Sequence, residues 1–220
     1  MSPRSFLLDD RLAAYVGAHA AQPDQVLRDL AEETAALGPI SGMQIGPDQG
    51  AFMTLLVRLV GATNAVEVGT FTGYSSICIA RGLADGGHLL CCDVSEEFTA
   101  MARKYWGVAG VGDRIELRIA PAIDTLRALP TDPVVDFAFV DADKTGYLDY
   151  YEELVPRLRP GGLLVADNVL QNGNAAAPPA DDDHESVAAI RAFNDHVTAD
   201  ERMESVLLPL ADGLTLARRR

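Results

Sequence analysis

The sequence predicts an α/β fold: a doubly wound, mostly parallel, seven-stranded sheet that ends in an antiparallel hairpin, with extra helices on its N-terminal side. Three observations lead there. From residue 65 onward, short apolar runs alternate with segments of helical period, which is how successive strand–helix–strand units read. Near the end, 203–209 and 214–218 are strand-like and are separated by Ala211-Asp212-Gly213, a hairpin signal. Ahead of the first strand, 1–60 reads mostly as helices.

The elements follow in order. Leu27, Leu30 and Ala31 recur at helical spacing, Pro23-Asp24 gives a start signal and Gly38-Pro39 ends the segment. Ser41-Gly42-Met43-Gln44-Ile45-Gly46-Pro47 reads as a loop. A helix with Phe52, Leu55, Leu56 and Leu59 on one face follows. Strands are expected at 65–68, 88–94, 115–119, 134–140 and 163–166. The helices between them fall at 73–84, from Ser95 with Glu96 and Glu97 in its first turn, and at 122–129. A further helix carries Tyr147, Tyr151, Leu154 and Leu158 on one face and stops before Pro160-Gly161. After 163–166 come a polar Ala/Pro/Asp-rich loop at 171–183, a helix at 184–199 and the hairpin. No internal repeat is present.

Composition narrows the function. A chain of 220 residues, 48% hydrophobic, suits one α/β domain with a substantial core. No apolar run reaches membrane-spanning length, Asp9 and Asp10 interrupt the early apolar segment, and no signal peptide is expected. Cys78, Cys91 and Cys92 make no disulfide framework and fit reduced, buried thiols of a cytoplasmic protein. Cys91 and Cys92 adjoin on a strand, so they point to opposite faces. A net charge of −14 argues against nucleic acid, and Arg218-Arg219-Arg220 reads as a solvated tail. His19, His88, His184 and His196 show no ligand spacing, and Asp181-Asp182-Asp183 reads as a solvated loop and cap.

Two clusters carry chemistry. The first is Val66-Glu67-Val68-Gly69-Thr70-Phe71-Thr72-Gly73-Tyr74-Ser75-Ser76, which runs from strand into helix. Its glycines permit a tight turn and close approach to a ligand. The spacing matches neither the dinucleotide fingerprint nor a phosphate loop. An acidic Glu67 repels phosphate and suits an amine. Asp93 ends the next strand, where an acid can accept both ribose hydroxyls. A cationic nucleoside without phosphates, such as S-adenosylmethionine, fits this combination.

The second cluster is Asp141-Ala142-Asp143-Lys144 together with Asp167-Asn168. Each follows an apolar strand, and paired neighbours lie about 4.8 Å apart. Asp141, Asp167 and Asn168 then meet at one sheet edge as an oxygen-only set for Mg²⁺, with Mn²⁺ or Ca²⁺ as alternatives. Asp143 is expected to cap the helix that starts at Lys144. Lys144, a cation in a first helical turn, opposes the helix dipole and is a candidate base.

These residues resemble the class I S-adenosylmethionine-dependent O-methyltransferases, in particular the cation-dependent catechol and caffeoyl-CoA group. The resemblance runs from Met43 through 66–76, 137–151 and 159–168 to Asp212-Gly213-Leu214-Thr215. It implies one domain over 1–220, with 1–60 supplying helices and a cofactor loop and 61–220 a Rossmann-like core. It implies that Met43, Ile45, Glu67, Gly69, Thr70, Ser75, Asp93, Ala122 and Asp141 contact the cofactor. Asp141, Asp167 and Asn168 match the metal ligands, Lys144 and Asp141 the catalytic residues, and Lys144, Asn168 and Asn172 the substrate side. Gln171 departs from a common Trp, and Ala120-Pro121-Ala122 replaces a Gly-containing stretch, so the substrate pocket and adenine contact differ most from the pattern.

The implied reaction is methyl transfer from S-adenosylmethionine to one hydroxyl of a small vicinal diphenol, with 171–183 as a candidate lid. Alternatives are an NAD-dependent oxidoreductase, against which the missing fingerprint argues, and a cofactor-binding protein without transfer activity. A CoA ester is the alternative acceptor. The acidic chain disfavours that polyanion, although Arg4 and Arg11 offset this locally. The resemblance also implies a homodimer.

Overall fold

Six consecutive buried residues, Val135–Val140, form the strand at the middle of the sheet. The computed structural model describes residues 8–180 and 183–220. Arg4, Asp181 and Asp182, named above, lie outside the described residues, as does part of the early apolar segment. In chain order the elements are α1 (Asp10–His19), α2 (Gln25–Ala35), α3 (Pro47–Val60), β1 (Asn64–Val68), α4 (Tyr74–Gly82), β2 (His88–Asp93), α5 (Glu96–Val108), β3 (Ile115–Ile119) and α6 (Ala122–Arg127). Then come β4 (Val135–Val140), α7 (Tyr147–Leu154), β5 (Leu158–Asp167), α8 (Glu185–Ala199), β6 (Met203–Leu208) and β7 (Leu214–Arg219).

The strand order is β3-β2-β1-β4-β5-β7-β6. The first five strands are parallel, and β7 runs antiparallel to both β5 and β6. The expected fold class is therefore the observed one. Alternate residues of the central strands enter two cores. Phe137, Phe139, Val165 and Cys91 meet Met53, Val57 and Ile77, whereas Ala138, Val140, Ala166 and Cys92 meet Tyr147, Tyr151 and Phe193. Cys91 and Cys92 thus face opposite layers, as the strand period of two requires.

Three local expectations change. The helix after β4 stops at Leu154, a 3₁₀ turn spans Val155–Arg157, and Leu158 opens β5 instead of joining the helix face. Pro156 explains the stop, because a proline within a helix lacks the amide hydrogen and clashes one turn back. On α3 the buried face is Gln49, Gly50, Met53 and Val57, while Leu55 and Leu59 are exposed. Glycines select that face: an added Cβ at Gly50 would fall 2.8 Å from the Tyr74 ring, and one at Gly82 would fall 2.7 Å from Val57. These gaps let α3 and α4 pack closely. Finally, the 41–47 segment is not wholly loop, since Gly38–Met43 forms a 3₁₀ turn.

The sheet places its switch point between β1 and β4. Val68 pairs with Val140, and from there β1 is followed in sequence by its neighbour on one side and β4 by its neighbour on the other. Ligands of open α/β sheets bind at such a crevice. The loops leaving it are stitched together: Asp141 N–H donates to Val68 O (2.8 Å), and Gly69 N–H donates to Cys92 O (2.9 Å). Gly69 has φ +92°, and a Cβ there would lie 1.9 Å from the Asp141 carbonyl oxygen. Gly69→Ala should therefore lower thermal stability by about 2 kcal/mol or more, or about 5 °C in Tm; a melting curve superimposable on wild type would contradict this packing.

Candidate active site

A cavity of about 850 Å³ opens at the carboxyl ends of β1, β2, β4 and β5. Of the expected cofactor residues, Met43, Ile45, Gly69, Thr70, Ser75, Asp93, Ala122 and Asp141 line it. The Gly-rich turn is held by Asp93. Its Oδ2 accepts the Thr70 and Phe71 amides at 2.9 and 2.8 Å, and its Oδ1 accepts the Ser95 amide at 2.8 Å. A carboxylate has about four lone-pair sites, so Asp93 can shape the turn and still face a ligand.

Glu67 departs from expectation. It is fully buried and is not among the residues lining the cavity. Its Oε2 accepts the Cys91 thiol at 3.2 Å, while Oε1 has no partner. Burial pushes the carboxyl up to about 8, against the opposing pull of the neighbouring Ser75, Cys91 and Thr70 side chains. Glu67 points into the core with Cys91 because β1 is covered on both faces. Burial favours its protonated form under the turn, whereas the sequence reads it as an acid suited to an amine.

The far end of the cavity is built by the loops after β4 and β5. Asp141, Asp143, Lys144, Asp167, Asn168 and Asn172 all line it. Lys144 Nζ donates to Asp141 Oδ1 (3.0 Å) and to Tyr147 Oη (2.8 Å). Tyr147 in turn donates to Asp167 O at 2.9 Å. Burial, followed by the Asp141 and Asp167 charges, pushes the Tyr147 phenol well above its usual range, so it remains a donor. Asp143 does not cap the helix with its side chain; its Oδ1 accepts Tyr150 Oη at 2.6 Å, and Lys144 opens a 3₁₀ turn ahead of α7. The phenol takes the carboxylate that a helix cap would have used.

Asp167 is the most deeply buried carboxylate lining the cavity. Its Oδ1 accepts the Asn168 amide and its Oδ2 accepts Gln49 Nε2, both at 2.6 Å. Burial first, and the Asp141 carboxylate second, push its carboxyl upward. Asn168, Gln171 and Asn172 have φ of 57°, 48° and 53°, a left-handed conformation that is costly without glycine and is concentrated at functional sites. The turn before β7 clamps this segment. Asp212 O accepts Leu170 N–H (2.9 Å), Asp212 Oδ1 accepts Asn172 N–H (2.6 Å) and Gly213 O accepts Val169 N–H (3.2 Å).

The residues present fit a divalent cation. Asp141, Asp167 and Asn168 offer hard oxygen donors, and the Asp141 carboxylate disfavours the charge on buried Asp167, which a cation would favour. Among the described residues lining the cavity, Lys144 is the one basic side chain, against Asp93, Asp141, Asp143, Asp167 and Asp212. No histidine is among them.

Sequence reasoning missed Gln49, Tyr147 and Asp212 as site residues. Tyr147 read there as part of an apolar helix face, and Gln49 was not singled out. Asp212 read as a hairpin turn, which it is, but the turn also props up the 168–172 segment.

A family model described as O-methyltransferase matches residues 17–220. The chain belongs to the O-methyltransferase family. Over 230 residues it is 37% identical to caffeoyl-CoA O-methyltransferase 2 of Zea mays, covering 98% of this chain and 85% of that protein. A Dictyostelium discoideum protein named probable caffeoyl-CoA O-methyltransferase 2 is 44% identical over 172 residues, covering 77% of this chain and 74% of that one. Among solved structures, the O-methyltransferase of Bacillus cereus in complex with SAH superimposes with a TM-score of 0.86 at 32% identity, covering 96% of this chain and 97% of that chain. The expectation of an S-adenosylmethionine-dependent O-methyltransferase therefore stands, and the oxidoreductase alternative falls. No helix among the described residues is long and apolar enough to cross a membrane.

The Glu67 environment makes a pH prediction for this O-methyltransferase. Between the unfolded value, about 4.3, and the folded value of about 8, the native state keeps a proton that the unfolded chain has lost. Stability from this group therefore falls as pH rises through that window. Glu67→Gln removes the slope, so its Tm should gain on wild type progressively from pH 5 to pH 8. A constant Tm difference across that range would contradict the buried, protonated carboxyl.

Proposed function

We propose that this enzyme transfers the methyl group of S-adenosylmethionine to one hydroxyl of a small catechol-type acceptor, with a divalent cation, Mg²⁺ first among the candidates, held by Asp141, Asp167 and Asn168. The observation that carries the reading is the joining of two halves in one cavity. A Gly-rich turn pinned by Asp93 lines one end, and two carboxylates, an amide and Lys144 line the other.

When bound, the cation supplies Lewis-acid help that makes a coordinated hydroxyl easier to deprotonate. The chain's own residues do the rest. Met43, Ile45, Gly69, Thr70, Ser75, Asp93 and Ala122 hold the cofactor, and Asn168 and Asn172 face the acceptor. Lys144, fixed by Asp141 and Tyr147, takes or shares the acceptor's proton. The acceptor oxygen bonds to the methyl carbon as the carbon–sulfur bond breaks. That electron pair returns to sulfur and leaves neutral S-adenosylhomocysteine. Alignment of oxygen, carbon and sulfur supplies much of the acceleration. Charge is partly neutralised along the way, so the apolar walls formed by Ile45 and Ala122, both buried, favour transfer.

A CoA ester acceptor is the second reading, and the names of the relatives favour it. Against it stand the five aspartates of the cavity wall and a net charge of −14, which repel a polyanion. The reading also includes a cytoplasmic location, which buried free thiols fit, and a homodimer, for which Leu12, Tyr15 and Val16 of α1 are exposed apolar residues. No membrane or nucleic-acid partner belongs to it.

The deciding assay offers S-adenosylmethionine with caffeic acid or its CoA ester, in Mg²⁺ or in EDTA. Methylated product that disappears in EDTA is expected, with the free acid the better acceptor; full activity in EDTA would refute the cation. Asp141→Ala and Asp167→Ala should each lower kcat/KM by about 100-fold or more while remaining folded by circular dichroism. Lys144→Ala should lower kcat by about 100-fold and leave S-adenosylhomocysteine affinity nearly unchanged. An unaltered kcat would remove Lys144 from the proton transfer.

A further inference from the structure

Gln49 sits near the start of α3, far in sequence from the strand ends that carry the carboxylates. It is 1% exposed, yet it is one of the residues lining the cavity. Its Nε2 donates to Asp167 Oδ2 at 2.6 Å. A carboxylate oxygen accepts and the amide nitrogen donates, so this bond fixes which way the amide points. The other amide atom, Oε1, is buried and has no partner. An orphaned buried acceptor is costly unless a donor reaches it, and the residue that carries it lines the cavity.

The backbone under Gln49 is held firmly. Gly50 N–H donates to Gly46 O at 2.9 Å, and Gly50 packs against the Tyr74 ring and Cys78 Sγ. The amide therefore projects from a locked helix onto the most buried carboxylate of the site. Asn168 N–H holds Asp167 Oδ1 from the other side, also at 2.6 Å. Asp167 is thus gripped at both oxygens, with one lone-pair direction left on each.

We propose that Gln49 is the positioning residue of the cation site: it orients Asp167 through Nε2, and its Oε1 is the acceptor for a donor group entering the cavity. This rests on the cation reading above. Groups that orient metal ligands influence affinity without touching the ion. The α3 helix is then a wall of the site as well as a layer of the core.

The test is binding of Mn²⁺ alone, followed by calorimetry and by the Mn²⁺ electron paramagnetic resonance signal, in wild type, Gln49→Met and Gln49→Asn. Methionine keeps the length of the side chain and removes the donor, and asparagine keeps the amide but is one methylene short. S-adenosylhomocysteine affinity is measured in parallel. Both variants should bind Mn²⁺ about 10-fold more weakly or worse, with S-adenosylhomocysteine affinity within about 2-fold of wild type. Should Gln49→Met fail to fold, Gln49→Asn decides. Wild-type Mn²⁺ affinity in the variants overturns the positioning role, as does an equal loss of both affinities, which would indicate a collapsed pocket. Wild-type protein that takes up no Mn²⁺ overturns the cation reading itself.

Discussion

The contact on which the site depends is backbone against backbone: Gly69 lying on the carbonyl of Asp141 where β1 and β4 end side by side. No side chain fits there. Because the gap is closed by glycine, the two loops leave the sheet from nearly one point, one toward the Gly-rich turn and the other toward Asp141 and Lys144. A cavity spanning both loops follows from that closeness. Asp93 stiffens the first loop by accepting its amides, and the Lys144–Tyr147 pair stiffens the second.

Burial gives the acidic residues different tasks. Glu67 and Asp167 are both almost wholly buried, and burial is the largest influence raising each carboxyl. Glu67 has a thiol beside it and is not among the residues lining the cavity, and burial favours its protonated form under the turn. Asp167 opens onto the cavity beside a second carboxylate, and a positive ligand can reach it. Similar burial therefore yields a structural group in one place and a cation-binding candidate in the other, and the difference is exposure to the cavity.

Much of this was legible in the sequence, because strand periodicity and loop composition are local. The order of strands and helices and the terminal hairpin could be read directly, and so could the convergence of Asp141, Asp167 and Asn168 at strand ends. What escaped was set by packing. The buried face of α3 follows from where Gly50 and Gly82 let two helices meet, not from where its leucines fall. The role of Gln49 depends on a partner far along the chain. Glu67 looked like a ligand-facing acid because a strand ending says nothing about which layer the residue enters. Asp143 looked like a cap until Tyr150, a turn and more away, supplied a competing donor.

We propose that cofactor and cation occupy this one cavity together. The most direct test is nuclear magnetic resonance of S-adenosylhomocysteine bound to the protein, with and without Mn²⁺. A shared cavity should broaden the bound ligand's resonances strongly when Mn²⁺ is added, and excess Mg²⁺ should reverse the effect. Sharp, unchanged resonances with both ligands demonstrably bound would place the cation elsewhere and rule out a shared cavity.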